Sequence, residues 1–239
     1  MDKIIVQNYI RRKKRHKLAA ILGAASSVVL IVFIVIAFCW FYVDRFTIHT
    51  NSDPELCLTI DENKQRTTTK LVAPPLIQAS DMQYSDLPAN IDEGLGSKNK
   101  DSYFAYSFYL GGVGNYTKIN YAMDLRLNNV SNNIEEAIRI MIIRNGDSNP
   151  DVYAKANPDG SAKWVYDGVD HNEEPTPIKE TKKFEENQRH IIYKIYDIKP
   201  GDFDKFTIVM WIDGWYSDNT MKGGVFETDL KFSTASTQN

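Results

Sequence analysis

The sequence predicts a mainly β protein, an antiparallel β-sandwich of the immunoglobulin-like or jelly-roll-like kind joined to an N-terminal transmembrane α-helix. Three observations support this prediction: a long uncharged segment near the start, alternating apolar and polar residues in the later part, and turn-forming residues between the alternating runs. We expect five regions in the 239 residues: a basic cytoplasmic tail (1–17), a membrane helix (18–43), an extended connector (44–101), the β-sandwich (102–234) and a disordered tail (235–239).

Charge is distributed unevenly along the chain. The whole sequence has 28 Lys and Arg against 31 Asp and Glu, a net charge of −3. Residues 1–17 hold seven basic residues and one acid, and residues 18–43 hold no charge, so residues 44–239 carry a net of −9. This split excludes an ordinary soluble protein, and the acidic part repels phosphate, which argues against a nucleic-acid partner. Two cysteines are too few for a disulfide-stapled scaffold.

Residues 18–43 predict a helix that crosses a membrane. A helix of 26 residues is about 39 Å long, against roughly 30 Å of hydrocarbon, so it can span with some tilt. Trp40, Phe41 and Tyr42 lie at its far end, where aromatic rings favour the membrane interface. The run is longer than the apolar core of a cleaved signal peptide, and bulky residues stand where a peptidase needs small ones. We therefore expect an uncleaved signal anchor.

A basic cluster in front of this helix sets the expected topology. Its members are Arg11, Arg12, Lys13, Lys14, Arg15 and Lys17. Basic flanks remain in the cytoplasm, so we expect a single-pass protein of the cell membrane whose last 196 residues are extracytoplasmic. Membrane lipid is thus an expected partner, and the cluster can also hold anionic headgroups.

Residues 44–101 are predicted to be an extended connector with little core of its own. The segment is rich in polar residues and contains Pro74 and Pro75, so it buries little apolar surface to offset the entropy of ordering. Two short apolar pieces, 56–60 and 71–77, are expected to add edge strands or to pack along the domain. Cys57 has no obvious partner within the chain, which leaves a disulfide between chains or a free or buried thiol.

From residue 102 onward, apolar residues recur at every second position, which predicts strands. The predicted strands lie at 104–110, 119–127, 137–144, 152–154, 191–198, 206–212 and 226–232. Gly111, Gly112, Gly114 and Asn115 are expected to close the first hairpin. Residues 161–183 are expected to form a long excursion between strands.

Several of these segments resemble a group of uncharacterised single-pass membrane proteins of Firmicute bacteria. The resembling segments are YFAYSFYL (103–110), EAIR (136–139), VYAK (152–155), KPGD (199–202) and DKFTIVMW (204–211), followed by GG (223–224). The resemblance implies an extracytoplasmic β-sandwich but no particular activity. The remote similarity to camelysin and TasA-like surface proteins implies a matrix or fibre role. The loop after Trp211 departs from the acidic loop of that family.

That loop supplies the candidate binding residues Asp213, Trp215, Tyr216, Asp218 and Asn219. Trp215 and Tyr216 follow Gly214 at the expected tip of a hairpin loop, where exposed aromatic residues anchor sugars or protein partners. They are equally able to fold back over the open end of the sandwich.

Two groups of oxygen-bearing side chains have the composition of a calcium loop. One is Asp213 with Asp218 and Asn219, and the other lies at 147–151, where a proline interrupts it. Solvated turn residues give the same pattern, and we favour that interpretation for both groups. No metal and no cofactor is therefore predicted.

Familiar catalytic patterns are absent from the sequence after residue 44. Its three histidines, His49, His171 and His190, form no zinc-protease pair, and there is no nucleophile elbow or phosphate loop. The sequence therefore predicts a non-enzymatic interaction or envelope-structural module, with a protein partner at the cell surface or self-association. The alternatives are a ligand-binding sensor or accessory subunit of a membrane complex and, third, a cell-surface hydrolase.

Overall fold

The structure is a computed structural model that describes residues 29–34, 45–51, 53–167, 175–185 and 190–235. Residues 29–34 are helical, and among the described residues no helix is long and apolar enough to cross a membrane. The rest of the predicted membrane helix, residues 236–239 and the basic cluster lie outside the described residues, the cluster being Arg11, Arg12, Lys13, Lys14, Arg15 and Lys17.

Arg45–Asn239 forms one compact unit, which we call the β unit. Its described part contains fourteen strands: β1 (Thr47–His49), β2 (Leu56–Thr59), β3 (Lys70–Val72), β4 (Gly96–Ser97), β5 (Tyr103–Gly112), β6 (Ile119–Val130), β7 (Ile138–Arg144), β8 (Asp151–Ala154), β9 (Trp164–Asp167), β10 (Thr176–Glu180), β11 (Lys182–Lys183), β12 (His190–Ile198), β13 (Phe203–Ile212) and β14 (Phe226–Thr234). Three 3₁₀ turns lie at Tyr84–Asp86, Ile134–Glu136 and Asn219–Met221.

The strands form two large sheets and one small one. The five-stranded sheet has the order β12-β6-β14-β1-β3, and the seven-stranded sheet has the order β11-β8-β7-β13-β5-β2, with β4 also paired to β5. A separate pair joins β10 to β9. The long strands pair antiparallel, whereas β1–β14 and β11–β8 are parallel pairs. The predicted mainly β class is confirmed.

Aromatic side chains of both large sheets meet in one core. Phe108 of β5 lies 5.8 Å from Phe206 of β13 and 5.9 Å from Phe232 of β14, measured between ring centroids. Tyr121 of β6 contacts Phe206 and Phe232 as well. Because alternate residues of a strand face opposite sides, these inward positions are the apolar members of the period-two pattern. This core holds the sheets together through apolar burial.

The seven-stranded sheet is covered on its other face too. Trp211 and Val209 of β13 pack there with Met82, Ile91 and Val165 in a second buried cluster. Because both faces of β7 and β13 are covered, most residues of these two strands are buried. In contrast, β14 alternates regularly between buried and half-buried residues.

Two predicted hairpins are wrong. β5 and β6 belong to different sheets, so Gly111 and Gly112 end β5 and Gly114 lies in a connection that crosses between sheets. The chain after β13 crosses in the same way to β14. Period-two patterns identify strands but do not identify their neighbours, and this is why both connections were misassigned.

The segments predicted to be connecting chain contribute strands and core. Residues 45–101 supply β1 to β4, with β2 and β3 at sheet edges, and their side chains enter both buried clusters. The predicted excursion at 161–183 supplies β9, β10 and β11. Cys57 is a buried free thiol in β2, and burial raises its pKa.

Candidate functional site

A buried ion pair lies at the base of the predicted binding loop. The side chain of Arg139 in β7 is fully buried, and its Nε lies 3.1 Å from Oδ2 of Asp213. Nη1 of Arg139 donates to the carbonyl oxygens of Glu136 (3.2 Å) and Ile138 (3.0 Å). Burial raises the pKa of Asp213 and lowers that of Arg139, so desolvation outweighs the attraction between the two charges. Removing either residue would leave the other buried without its opposite charge, so the pair is costly to break.

Strand register brings these two residues together. Ile212, the last residue of β13, pairs with Ile138 at the start of β7. The next residue, Asp213, donates its backbone N–H to the carbonyl of Ala137 at 2.8 Å. Its carboxylate also accepts the backbone N–H of Trp215 at 3.0 Å, which fixes the first turn of the loop.

Tyr216 folds back over this ion pair. The guanidinium of Arg139 lies 4.2 Å from the centroid of the Tyr216 ring, and Nζ of Lys163 lies 5.1 Å from it. Its hydroxyl oxygen accepts the backbone N–H of Trp164 at 3.3 Å. Cations above an aromatic face are attracted by its negative charge density, and burial strengthens that attraction. Tyr216 thus packs within the site, and its ring already contacts the cations of Arg139 and Lys163.

Lysine and glutamate side chains complete the base. Lys163 is buried, and its Nζ lies 2.6 Å from Oε2 of Glu136, whose other oxygen lies 2.6 Å from Nζ of Lys155. Burial lowers the pKa of Lys163. Burial also opposes ionisation of Glu136, but its bonds to Lys155 and Lys163 outweigh this and leave its pKa lowered. The charges of this end are thus paired with one another.

An aromatic patch covers the base. We use this name for Trp164, Tyr166, Trp215 and Tyr216. The Tyr166 ring lies 5.5 Å from that of Trp215 and 6.3 Å from that of Tyr216. Trp164 and Tyr166 flank the buried Val165 on β9 and so point to the same side. Trp164 and Trp215 are each 37% exposed.

The structure separates the remaining loop residues from the patch. Asp218 caps the turn Asn219–Met221 by accepting the backbone N–H (2.7 Å) and hydroxyl (2.5 Å) of Thr220, and these bonds lower its pKa. Asn219 is exposed. The loop therefore brings Asp213, Trp215 and Tyr216 together, while Asp218 and Asn219 serve a local turn.

The two groups with calcium-like composition use their oxygens internally. Asp213 is paired with Arg139, and Asp151 lies 2.6 Å from Nζ of Lys182. Within the described ranges, no group of three His, Cys, Asp or Glu side chains is placed to hold a metal ion. His49 and His190 each contact a different aspartate, and His171 lies outside the described residues.

A second Arg–Asp pair lies at the other end of β7. Nη2 of Arg144 is 2.8 Å from Oδ2 of Asp204, and its guanidinium lies 4.5 Å from the Tyr196 ring centroid. Tyr121 and Asn145 also donate to Asp204, at 2.5 and 2.6 Å. Beside this pair is a groove of about 790 Å³, lined by Asn63, Lys64, Asn145, Asp197, Ile198, Lys199, Gly201, Asp202, Phe203 and Asp204. We call the Arg144 end of β7 the open end and the Arg139 end of β7 the closed end.

The sequence analysis missed six residues of the closed end: Glu136, Arg139, Lys155, Lys163, Trp164 and Tyr166. A usable signal existed for three of them. Arg139 interrupts an otherwise apolar strand, and a buried charge requires a partner. Trp164 and Tyr166 alternate with Val165, a short strand pattern inside the predicted excursion. Lys163 carries no local signal, because its partner Glu136 is 27 residues away.

Comparisons with known proteins identify no relative of this chain. No protein-family model matches the sequence, and neither a curated protein nor a solved structure matches it. The resemblance to Firmicute membrane proteins therefore stays a prediction. Function has to be argued from the two ends of the β unit.

Proposed function

We propose that the protein is a membrane-anchored, non-enzymatic module that binds a protein partner outside the cell membrane through the aromatic patch. The observation that carries the proposal is a set of partly exposed aromatic rings above a base of buried, oppositely charged side chains. Tryptophan and tyrosine dominate the energetics of protein interfaces. They do so most effectively when their rings are already ordered, because little entropy is then lost on binding.

The residues below the patch hold its aromatic rings in place. Asp213 fixes the turn at Trp215, and the Arg139 guanidinium holds the Tyr216 ring. Tyr166 packs against both loop rings from β9. A partner therefore meets a preformed surface, and the buried charges of Arg139 and Lys163 below it already lie beside opposite charges. This arrangement supports binding, since a catalytic site requires a reactive group that is available to substrate.

The membrane anchor and its orientation belong to the same proposal. They rest on the uncharged segment 18–43 and on the basic cluster before it. We further propose that the two large sheets make a β-sandwich of the immunoglobulin-like or jelly-roll-like kind, joined to an N-terminal transmembrane helix. The partner is either a different surface protein or a second copy of this chain.

The groove at the open end favours one alternative function. A polar groove of about 790 Å³ is within the usual size of small-molecule sites, roughly 300–1,000 Å³. A sensor or accessory subunit of a membrane complex would bind its ligand there. The charged lining makes a polar ligand the expected class.

Topology is tested by adding protease to intact protoplasts. The proposal predicts digestion of the β unit with protection of the N-terminal tail. Full protection of a chain that is shown to be membrane-bound contradicts the extracytoplasmic assignment. Release of the intact chain into the soluble fraction contradicts the anchor.

Binding is tested by affinity purification of the full chain from detergent-solubilised membranes at native expression. The variant Trp164→Ala/Trp215→Ala is expected to lose the partner that the wild-type chain recovers. Tyr193→Ala is the matched control, because Tyr193 is an exposed aromatic residue (45% exposed) on β12 of the five-stranded sheet, which contains no residue of the patch. Equal recovery by all three chains contradicts the role of the patch. Recovery of a second, differently tagged copy identifies self-association.

A further inference from the structure

The first strand of the β unit is bonded on both sides. β1 pairs parallel with β14, where Thr47 lies opposite Asp229 and His49 opposite Lys231. It pairs antiparallel with β3 through Ile48 and Leu71. Backbone bonds from Ala73 N to Phe46 O (2.9 Å) and from Thr50 N to Thr69 O (3.0 Å) extend the contact with the β3 side.

Side chains fasten β1 to the core as well. Ile48 and Thr50 are fully buried, and Phe46 meets Phe104 of the other large sheet edge to face, with ring centroids 5.0 Å apart. Across the parallel pair, Nε2 of His49 lies 3.1 Å from Oδ2 of Asp229. A strand of three residues thus has backbone hydrogen bonds, a His–Asp side-chain hydrogen bond and core burial to resist its removal.

The direction of the pairing decides how this strand responds to tension. β1 is the first described strand of the β unit and β14 is the last. Because they are parallel neighbours, pulling the two ends of the unit apart slides β1 and β14 in opposite directions along their own axes. All bonds between them are then strained together, whereas peeling an antiparallel hairpin breaks its bonds one at a time.

We propose that the β1–β14 pair is a mechanical clamp, which gives the protein a further function as a tether that withstands tension between its two ends. The cellular use of the clamp rests on the proposed membrane anchor, since tension entering through residue 45 reaches β1 first. The clamp itself is a property of the sheet and requires neither a membrane nor a partner.

The test is force-induced unfolding of the full chain in detergent, held in an optical trap by tags at its two termini. Ile48→Ala removes the central side chain of β1, and Ile192→Ala is its control, because Ile192 is equally buried in β12 of the same sheet. Ile48→Ala is expected to unfold at least about tenfold faster than wild type at the same force. Ile192→Ala should accelerate forced unfolding much less, even at an equal loss of chemical stability.

A less destabilising pair of variants tests the clamp if Ile48→Ala does not fold. His49→Ala removes the His–Asp hydrogen bond between β1 and β14, and His190→Ala removes the equivalent His–Asp hydrogen bond between β12 and β6. His49→Ala should accelerate forced unfolding about two- to fivefold, the size expected for one partly exposed polar contact. His190→Ala should leave the forced rate unchanged.

Equal acceleration by the β1 variant and its β12 control, in whichever pair is measured, overturns the clamp. The trap contains neither a bilayer nor a partner, so this failure leaves the proposed interaction function untouched. In the converse case, failure to recover a partner from membranes does not alter the forced unfolding rates. The two proposals are thus tested separately.

Discussion

The two ends of strand β7 carry the same chemical group in different surroundings. At each end an arginine pairs with an aspartate at the corresponding end of β13, and its guanidinium lies over a tyrosine ring. At the closed end the Arg139 side chain is 0% exposed, whereas at the open end Arg144 is 32% exposed. The difference comes from what lies above each pair, which is Lys163 and the aromatic patch at one end and a polar groove at the other.

The two surroundings shift the pKa of the arginine in opposite directions. Burial lowers the pKa of Arg139 despite its bond to Asp213. Burial also opposes the charge of Arg144, but its hydrogen bond to Asp204 and the electrostatic effects of Tyr121, Asp204 and Tyr196 together outweigh this and leave its pKa raised. A fully buried ion pair costs desolvation energy, and losing one partner is strongly destabilising. In a partly exposed pair, water partly solvates the charges. The closed end thus keeps its arginine away from water, whereas the open end leaves its arginine partly in contact with water.

The largest expected effect is the loss of the closed-end cation. Arg139→Met leaves Asp213 buried beside no positive partner of its own, and we expect it to lower the free energy of unfolding by about 3–5 kcal/mol. Urea denaturation followed by tryptophan fluorescence measures this loss. Adding Asp213→Asn should restore part of it, because the stranded charge is then gone. A double variant less stable than Arg139→Met would contradict the assignment.

The same substitution at the open end should cost less. Arg144→Met leaves Asp204 with its donors Tyr121 and Asn145 at the lining of the groove, so a loss of about 1.5–3 kcal/mol is expected. The same denaturation experiment compares the two ends directly. A loss at Arg144 as large as that at Arg139 would remove the distinction between closed and open ends.

Truncating the patch should affect binding more than folding. Trp215→Ala removes a ring that is 37% exposed, so we expect a stability loss of about 1 kcal/mol. Affinity for the partner should fall at least about tenfold, or 1.4 kcal/mol. Titration of the captured partner against both chains measures the affinity ratio. Tyr193→Ala, on the other large sheet, is expected to leave affinity unchanged.

The smallest effect is a pH dependence of opposite sign for two carboxyls of the closed end. The pKa of Glu136 is lowered on folding from 4.5, so its contribution is present above pH 4.5 and is lost as pH falls through the folded value. The pKa of Asp213 is raised on folding from 3.8, so stability falls as pH rises from 3.8 through the folded value.

Two variants separate these contributions. Denaturation midpoints between pH 3 and 6 should rise less steeply with pH in Glu136→Gln than in wild type. They should rise more steeply in Asp213→Asn, because the opposing group is absent. Identical slopes in all three chains would mean that neither carboxyl titrates differently in the folded and unfolded states.

The strands were predictable from the sequence, and most of their partners were not. Alternation located β5, β6, β13 and β14, because a side chain faces the core at every second position. The same alternation carries no information on which strand lies alongside. The strand β1 was missed because its three residues establish no period, and β9 was missed because its short alternation lies inside the segment predicted to be an excursion.

Only part of the candidate site could be predicted from the sequence, because local patterns do not show which distant residues meet. Trp215 and Tyr216 were conspicuous as bulky rings beside a glycine in a turn segment. Arg139 is 74 positions from Asp213 in the sequence, and only the pairing of β7 with β13 joins them. Long-range register thus decides which charges are neutralised, and local composition does not report it.

The central claim is that the aromatic patch is the surface that meets the partner. Its most direct test is site-specific photo-cross-linking in living cells, with a photoreactive phenylalanine placed at Trp215 in one full-length chain and at Tyr193 in another. We predict a discrete cross-linked species from position 215 and none from position 193. Cross-links from position 193 alone, or none from either position, would contradict the claim.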